Sequence, residues 1–376
     1  MRPKRLRRAR ATPELDGGPG FPRARRRSAR GAARCAGAIA LLALLTGVAG
    51  PLAAFGRVQP VRRAPVATAV ASAVPRLSIG ISDDAAALFR DPRFRWLGVR
   101  IARIVLPWDV LRRPRELAWD SAWLQAAHEA GVRPLVAFNG DPSHPGRLPG
   151  VSAYAAATEG FMQRFPWVLD YTPWNEENHP QQPTGRDPRR AAEYFNELSR
   201  HCPTCSITAA DVLDIPNMAS WVRSFLRFAH RPRLWGLHSY VDVGLGSHQR
   251  TSQLLRMVRG EIWFTEAGGV VWRWERPYGS RRATFIVHPE AHAAMLARRL
   301  LALASISRRV TRVYYYQWRV PHTLAWARTH GDISWDSGLL RPDCSTRPAF
   351  FVIARAVGRG TLHVPRARRD RAGNCV

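Results

Sequence analysis

From Arg76 onward, short apolar runs alternate with segments of helical spacing, and that alternation leaves the chain few folds to choose from. The runs suited to buried strands are "RLSIGIS" (76–82), "VRIARIVL" (99–106), "VRPLVAF" (132–138) and "FPWVLDYT" (165–172). They continue with "SITAAD" (206–211), "RLWGLHSY" (233–240), "EIWFTE" (261–266) and "VTRVYYYQW" (310–318). Between them lie amphipathic stretches such as "DSAWLQAAHEAG", with Trp123, Leu124, Ala127 and Ala130 on one face and Gly131 as a stop. Eight strands alternating with helices predict an α/β fold with a parallel sheet. Eight such units in roughly 250 residues match the size of a (β/α)8 TIM barrel. The rival, an open doubly wound sheet, normally carries a Gly-rich phosphate loop after its first strand. "SIGISDDAAALF" has no G-x-G-x-x-G, so the barrel is favoured.

What precedes the barrel reads as targeting. Residues 1–34 hold 12 basic and two acidic residues and are rich in Pro and Gly, a composition that predicts disorder. Residues 35–55, "CAGAIALLALLTGVAGPLAAF", are uncharged and mainly apolar. Their length suits a membrane-spanning anchor, while small residues near Ala53 and Ala54 permit cleavage as a signal peptide. The basic flank predicts that residues 1–34 stay cytoplasmic and that the rest is exported, to the cell envelope or beyond. Residues 56–75 form a linker, residues 76–360 the barrel, and residues 361–376 a basic C-terminal tail.

Beyond residue 34 there remain 45 basic and 26 acidic residues, an excess of +19. Lys4 is the single lysine, and the arginines are spread along the chain rather than gathered in a patch. Nucleic-acid binding is therefore not expected, and the chain is expected to be monomeric. Apart from Cys35, the cysteines are Cys202, Cys205, Cys344 and Cys375, an even number in an exported chain. Two disulfides are expected, with three connectivities open. There is no H-E-x-x-H and no carboxylate cluster at metal spacing, so no metal or other cofactor is expected. The G-x-S-x-G elbow of a serine hydrolase is missing as well.

In a (β/α)8 barrel, chemistry gathers at the C-terminal ends of the strands. The polar residues ending the apolar runs are Arg103 with Trp108 and Asp109, then Asn139, then Trp174, Asn175 and Glu176. They continue with Asp211, His238, Tyr240, Glu266, Gln317 and Trp318. Burying the Arg103 guanidinium inside an apolar strand requires a carboxylate partner, and Glu266 is one candidate. Asp211 and Asp214 read equally well as loop-capping residues. The three tyrosines Tyr314 to Tyr316 must alternate in and out and serve mostly as packing.

"PWNEEN", followed 90 residues later by "WFTEAGG", resembles the 4/7 superfamily of glycoside hydrolases, clan A, over about residues 76–358. The late "DSGLLRPDCSTRPAF" is similar to the closing segment of barrels of families 39 and 5. This resemblance implies a retaining glycosidase acting on β-linked glycans or glycosides. It makes Glu176 the general acid/base and Glu266 the nucleophile. Asn175 would bind the sugar 2-hydroxyl, Arg103 and Tyr240 would align Glu266, and His238 would border the sugar. Asn139 joins the substrate-binding set, and Trp318 would stack on a sugar ring. The clan often places proline after the catalytic glutamate, where this chain has Glu177. That residue is expected to face the loop or to pair with an arginine such as Arg186. The alternative reading is a non-catalytic carbohydrate-binding barrel at the envelope. A third is an envelope scaffold whose arginines bind anionic polymer.

Overall fold

The computed structural model describes residues 77–141, 144, 146–275, 283–330, 335–360 and 362–376. Residues 1–76, on which the expected disordered segment, the expected signal or anchor and the expected linker fall, lie outside the described residues. Among the described residues, no helix is long and apolar enough to cross a membrane.

The expected alternation is present. Strands β1 (Ser78–Ser82), β2 (Ile101–Pro107), β3 (Arg133–Asn139) and β4 (Asp170–Thr172) pair in parallel in that order. Strands β5 (Ser206–Ile207) and β6 (Asp211–Leu213) are two pieces of one expected strand. The first pairs with β4 and the second with β7 (Leu234–His238). β7 continues to β8 (Glu261–Ala267), β8 to β11 (Val310–Tyr316), and β11 back to β1, all in parallel.

The break between β5 and β6 is where the sheet closes. Thr208 N–H donates to Tyr171 O at 2.9 Å on one side, and Ala209 N–H to Leu234 O at 2.6 Å on the other. The curled parallel sheet thus satisfies the polar backbone of both neighbours through one strand, and the barrel has no free edge there.

Helices follow the strands: α1 (Pro92–Leu97), α2 (Pro114–Glu129), α3 (Val151–Arg164), α4 (Pro188–His201) and α5 (Met218–Leu226). Then come α6 (Tyr240–Leu245), α7 (Gln249–Met257), α8 (Glu290–Ala304), α9 (Leu324–His330) and α10 (Pro348–Ala356). α4 shows why such segments are helical. Ala191, Tyr194, Phe195 and Leu198 recur at helical spacing and are all buried, and Asp187 caps the first turn by accepting from Arg190 N–H at 3.0 Å.

Inside the barrel, Ile101, Leu135, Trp263 and Tyr314 form a small apolar cluster. Gly80 is required beside it, because a Cβ there would lie 2.6 Å from Ile101 O. The larger core lies between sheet and helices.

Three features depart from expectation. Residues 165–169 turn before the chain becomes extended, so β4 is only three residues long. A second, antiparallel sheet of β9 (Trp272–Glu275), β10 (Thr284–Val287) and β12 (Trp335–Asp336) is inserted around the β8 and β11 connections. The basic C-terminal segment is fastened to the barrel by a Cys344–Cys375 disulfide and by Arg319, which donates to Gly373 O at 2.7 Å. The second disulfide joins Cys202 to Cys205, which resolves the connectivity and makes "CPTC" a short structural loop.

Candidate active site

Side chains from four other strands or their ends meet on one guanidinium. Arg103, in the middle of β2, is fully buried. Its Nη1 donates to Glu266 Oε2 at 2.8 Å and to Ser82 Oγ at 3.3 Å. Its Nη2 donates to Asn175 Oδ1 at 2.6 Å and to Asp211 Oδ2 at 2.9 Å. Burial alone would disfavour the charge, but Asp211 and Glu266 outweigh it and raise the Arg103 pKa further. The partner expected for a buried arginine is therefore Glu266, joined by a second carboxylate, Asp211.

Asp211 was expected to be as readily a loop cap as a site residue. It is neither exposed nor a cap: it lies at the centre of the site. His238 Nε2 is 3.1 Å from Asp211 Oδ2, and Thr265 Oγ1 donates to Asp211 Oδ1. The close approach of β7 makes room for it, since a Cβ at Gly236 would collide with Asp211 Oδ1. Burial raises a carboxylate pKa, yet His238 and Arg103 overcome that and hold Asp211 at about 2. Asp214 is the capping residue. Its two oxygens accept from Val241 N–H at 2.9 Å and Asp242 N–H at 2.7 Å, fixing the start of α6, and burial raises it to about 7.

His238 binds carboxylates through both ring nitrogens, Nε2 to Asp211 and Nδ1 to Glu176 Oε1 at 3.1 Å. Its burial works against a charge, but Asp211 and Glu266 raise it to about 10, so the ring is an imidazolium at neutral pH. Glu176 is buried, which alone would raise its pKa. The hydrogen bond and charge of His238 reverse this and hold it below the ordinary range. On the other side, Tyr240 at the start of α6 donates its hydroxyl to Glu266 Oε1 at 3.0 Å.

An extended chain would send Asn175 and Glu177 to one side and Glu176 to the other. Glu176 instead adopts φ +53°, the left-handed region, at a cost a strand-end site can carry. That turn lets Asn175 and Glu176 both reach the cluster. Glu177 goes behind it, with Oε2 accepting from Asp211 N–H and Oε1 buried with no hydrogen-bond partner. Burial and the neighbouring Asp211 push its pKa well up, which disfavours the charged form. It neither faces a loop nor pairs with Arg186.

Asn139 ends β3 half-buried, and its Oδ1 is without a hydrogen-bond partner. Trp318 is not brought to the site. Tyr314 and Tyr316 follow strand parity, but β11 ends at Tyr316. Two residues later Trp318 N–H is captured by Asp83 Oδ2 at 2.9 Å, and the ring packs edge-on against Phe94 in the core. Its stacking role is thereby withdrawn. Trp174, too, is core: it is fully buried and donates its indole N–H to Gln182 Oε1 at 3.0 Å. Tyr316, half-buried with Glu266 nearby, reads from the sequence as packing, although it shares the strand parity of Tyr314 and ends β11 at the rim.

Glu176, His238 and Glu266 offer one ligand atom each within 4.8 Å of one another. Both nitrogens of His238 already face carboxylates, and a proton holds the lone pair a metal would use, so this donor set suits an ion-pair network. The side chains of Glu176 and Glu266 remain 10% and 14% exposed, against 0% for Arg103 and Asp211. The first two can therefore be reached from solvent, and the others serve them from behind.

The curled parallel barrel is similar in fold to several solved structures. Xylanase 10B from Thermotoga maritima superposes with a TM-score of 0.53 at 9% identity, over 76% of this chain and 95% of that one. A GH5_18 protein from Bifidobacterium longum subsp. infantis does so at 0.52 and 16%, over 80% and 85%. GH10 from Paenibacillus barcinonensis gives 0.53 and 11%, over 77% and 97%. No protein-family model matches the sequence, and no curated protein matches it.

Proposed function

We propose that the protein is a retaining glycoside hydrolase that cleaves β-linked O-glycosidic bonds, with Glu266 as nucleophile and Glu176 as general acid/base. The observation that carries this is the placement of two solvent-reachable carboxylates with ligand oxygens within 4.8 Å, each held by a different partner. Oxygens no more than 4.8 Å apart fall on the short side that suits attack by one carboxylate on the anomeric carbon, whereas inversion needs roughly 6.5–9.5 Å to admit a water.

The two environments divide the labour. Arg103 and Tyr240 both donate to Glu266, which fixes the carboxylate and aims an oxygen for attack. Glu176 shares a hydrogen bond with the His238 imidazolium. A sugar bound over the cluster excludes water and disfavours that ion pair relative to neutral His238 beside protonated Glu176. Glu176 then gives this proton to the glycosidic oxygen as the carbon–oxygen bond breaks and Glu266 bonds to the anomeric carbon. In the second half, water attacks that carbon and passes its proton to Glu176. The Glu266 ester bond breaks, and the proton returns to His238. Asn175 Oδ1 is engaged by Arg103, leaving its amide hydrogens for the sugar 2-hydroxyl.

Proton NMR of the first-formed product tests the stereochemistry. Retention appears as an initial β-anomer that later mutarotates, and an initial α-anomer would refute the double displacement. The leader and the Arg-rich N-terminus support export to the envelope, where glycans are at hand.

A further inference from the structure

Most of the large aromatic side chains are buried, but Trp119 is 54% exposed. It lies on α2 four residues before Trp123, on the same face of the helix. The two indoles donate to successive carbonyls of the loop after β1, Trp123 Nε1 to Asp83 O at 2.8 Å and Trp119 Nε1 to Asp84 O at 3.0 Å. Trp123 is fully buried and by itself fastens α2 to this loop. Trp119 repeats the tether without burying its ring, so packing does not account for so large an apolar side chain there. What the tether does achieve is a fixed orientation for an open indole face.

The position of that face is informative. The loop after β1 stands at the C-terminal end of the barrel, where the catalytic cluster lies. Asp84 is exposed, and its charge is felt by both Arg103 and Tyr316. Asp84 Oδ1 also accepts from Val105 N–H at 3.4 Å, so the residue that Trp119 grips is tied to β2, the strand that carries Arg103.

We propose that Trp119 and Asp84 form a distal subsite of the cleft, in which one ring of a neutral oligosaccharide stacks on the indole and its hydroxyls donate to the Asp84 carboxylate. Stacking uses the C–H face of a pyranose ring, and the neighbouring carboxylate accepts from equatorial hydroxyls at the ring's edge. This rests on the glycosidase reading and adds chain length to it. The substrate is a glycan long enough to run from Glu266 past Asp84 to Trp119, and monosaccharide glycosides are poor substitutes.

The test measures binding by calorimetry to the full chain carrying Glu266→Gln, with xylo-, manno- and cello-hexaose and the matching disaccharides as probes. Trp119→Ala should weaken the best hexaose by roughly 10-fold or more, leave disaccharide affinity unchanged, and not shift the melting temperature. Trp119→Phe should restore part of the loss. Hexaose affinity within about twofold of the parent would overturn the subsite, and so would the absence of binding to every hexaose. Loss of binding in Trp119→Ala, with no cleavage of any glycan by the native chain, would uphold the subsite and refute the hydrolase.

Discussion

Replacing Arg103 by Met probes the whole cluster at once. The methionine fills a similar volume but leaves Asp211, Glu266 and Asn175 Oδ1 without their shared donor. In the native site, three carboxylates (Glu176, Glu266 and Asp211) face two cations, Arg103 and His238. Without Arg103, a single imidazolium faces all three. Removing one partner of a buried ion pair costs about 3–5 kcal/mol, a large share of the roughly 5–15 kcal/mol that holds a domain together. At about 2–4 °C per kcal/mol for a chain of this class, the melting temperature should fall by roughly 6–20 °C.

The charge imbalance has a second consequence. One carboxyl of the cluster takes up a proton at neutral pH, so the variant's stability should decline more steeply with rising pH than that of the native chain. Hydrolysis should drop by at least about a thousandfold, because the nucleophile loses the donor that aims it. Scanning calorimetry from pH 5 to 9, with initial rates on the same samples, reads all three effects. A melting temperature within about 2 °C of native and unchanged rates would show that Arg103 does not organise the site.

Other perturbations separate the remaining roles. Glu177→Gln should be nearly silent, within about 1 kcal/mol at neutral pH, since it keeps the acceptor for Asp211 N–H and burial already disfavours the charge that glutamine lacks; Glu176→Gln should abolish turnover of substrates with poor leaving groups. Denaturant titrations and rates on both variants decide this, and the reverse order would exchange the two glutamates. His238, raised to about 10, contributes stability that is complete below about pH 6.5 and is lost as pH rises through 10. Melting curves of His238→Gln should accordingly lack that alkaline decline. Opening Cys344–Cys375, 31 residues apart, should cost about 3–4 kcal/mol, while opening Cys202–Cys205, three residues apart, should cost only about 1.6 kcal/mol. Paired Cys→Ala variants in urea check the contrast.

Much of this was legible in the sequence because strand period and helix period differ. The eight apolar runs marked the barrel, and the residues ending them included Arg103, Asn175, Glu176, His238, Tyr240 and Glu266, all of which the structure brings together. What was not legible depended on where extended geometry stops. Trp318 falls two residues past the end of β11, so it does not end the strand as the apolar run suggested. The left-handed turn at Glu176 sends Glu177 inward rather than toward the loop. Asp211 was ambiguous because no local pattern distinguishes a cap from a buried partner. Only the approach of Arg103 from β2 and His238 from β7 settles it. The antiparallel insert of β9, β10 and β12 escaped notice because its strands are two to four residues long.

The central claim is that Glu266 attacks the anomeric carbon, and the most direct test is mass spectrometry of the full chain after incubation with 2-deoxy-2-fluoro-glycosides of several sugars carrying a good leaving group. The expected result is a stable adduct mapped to Glu266 and absent from Glu266→Gln. An adduct on any other residue, or none with any sugar alongside measurable glycan binding, would contradict the account and point instead to a barrel that binds glycans without cleaving them.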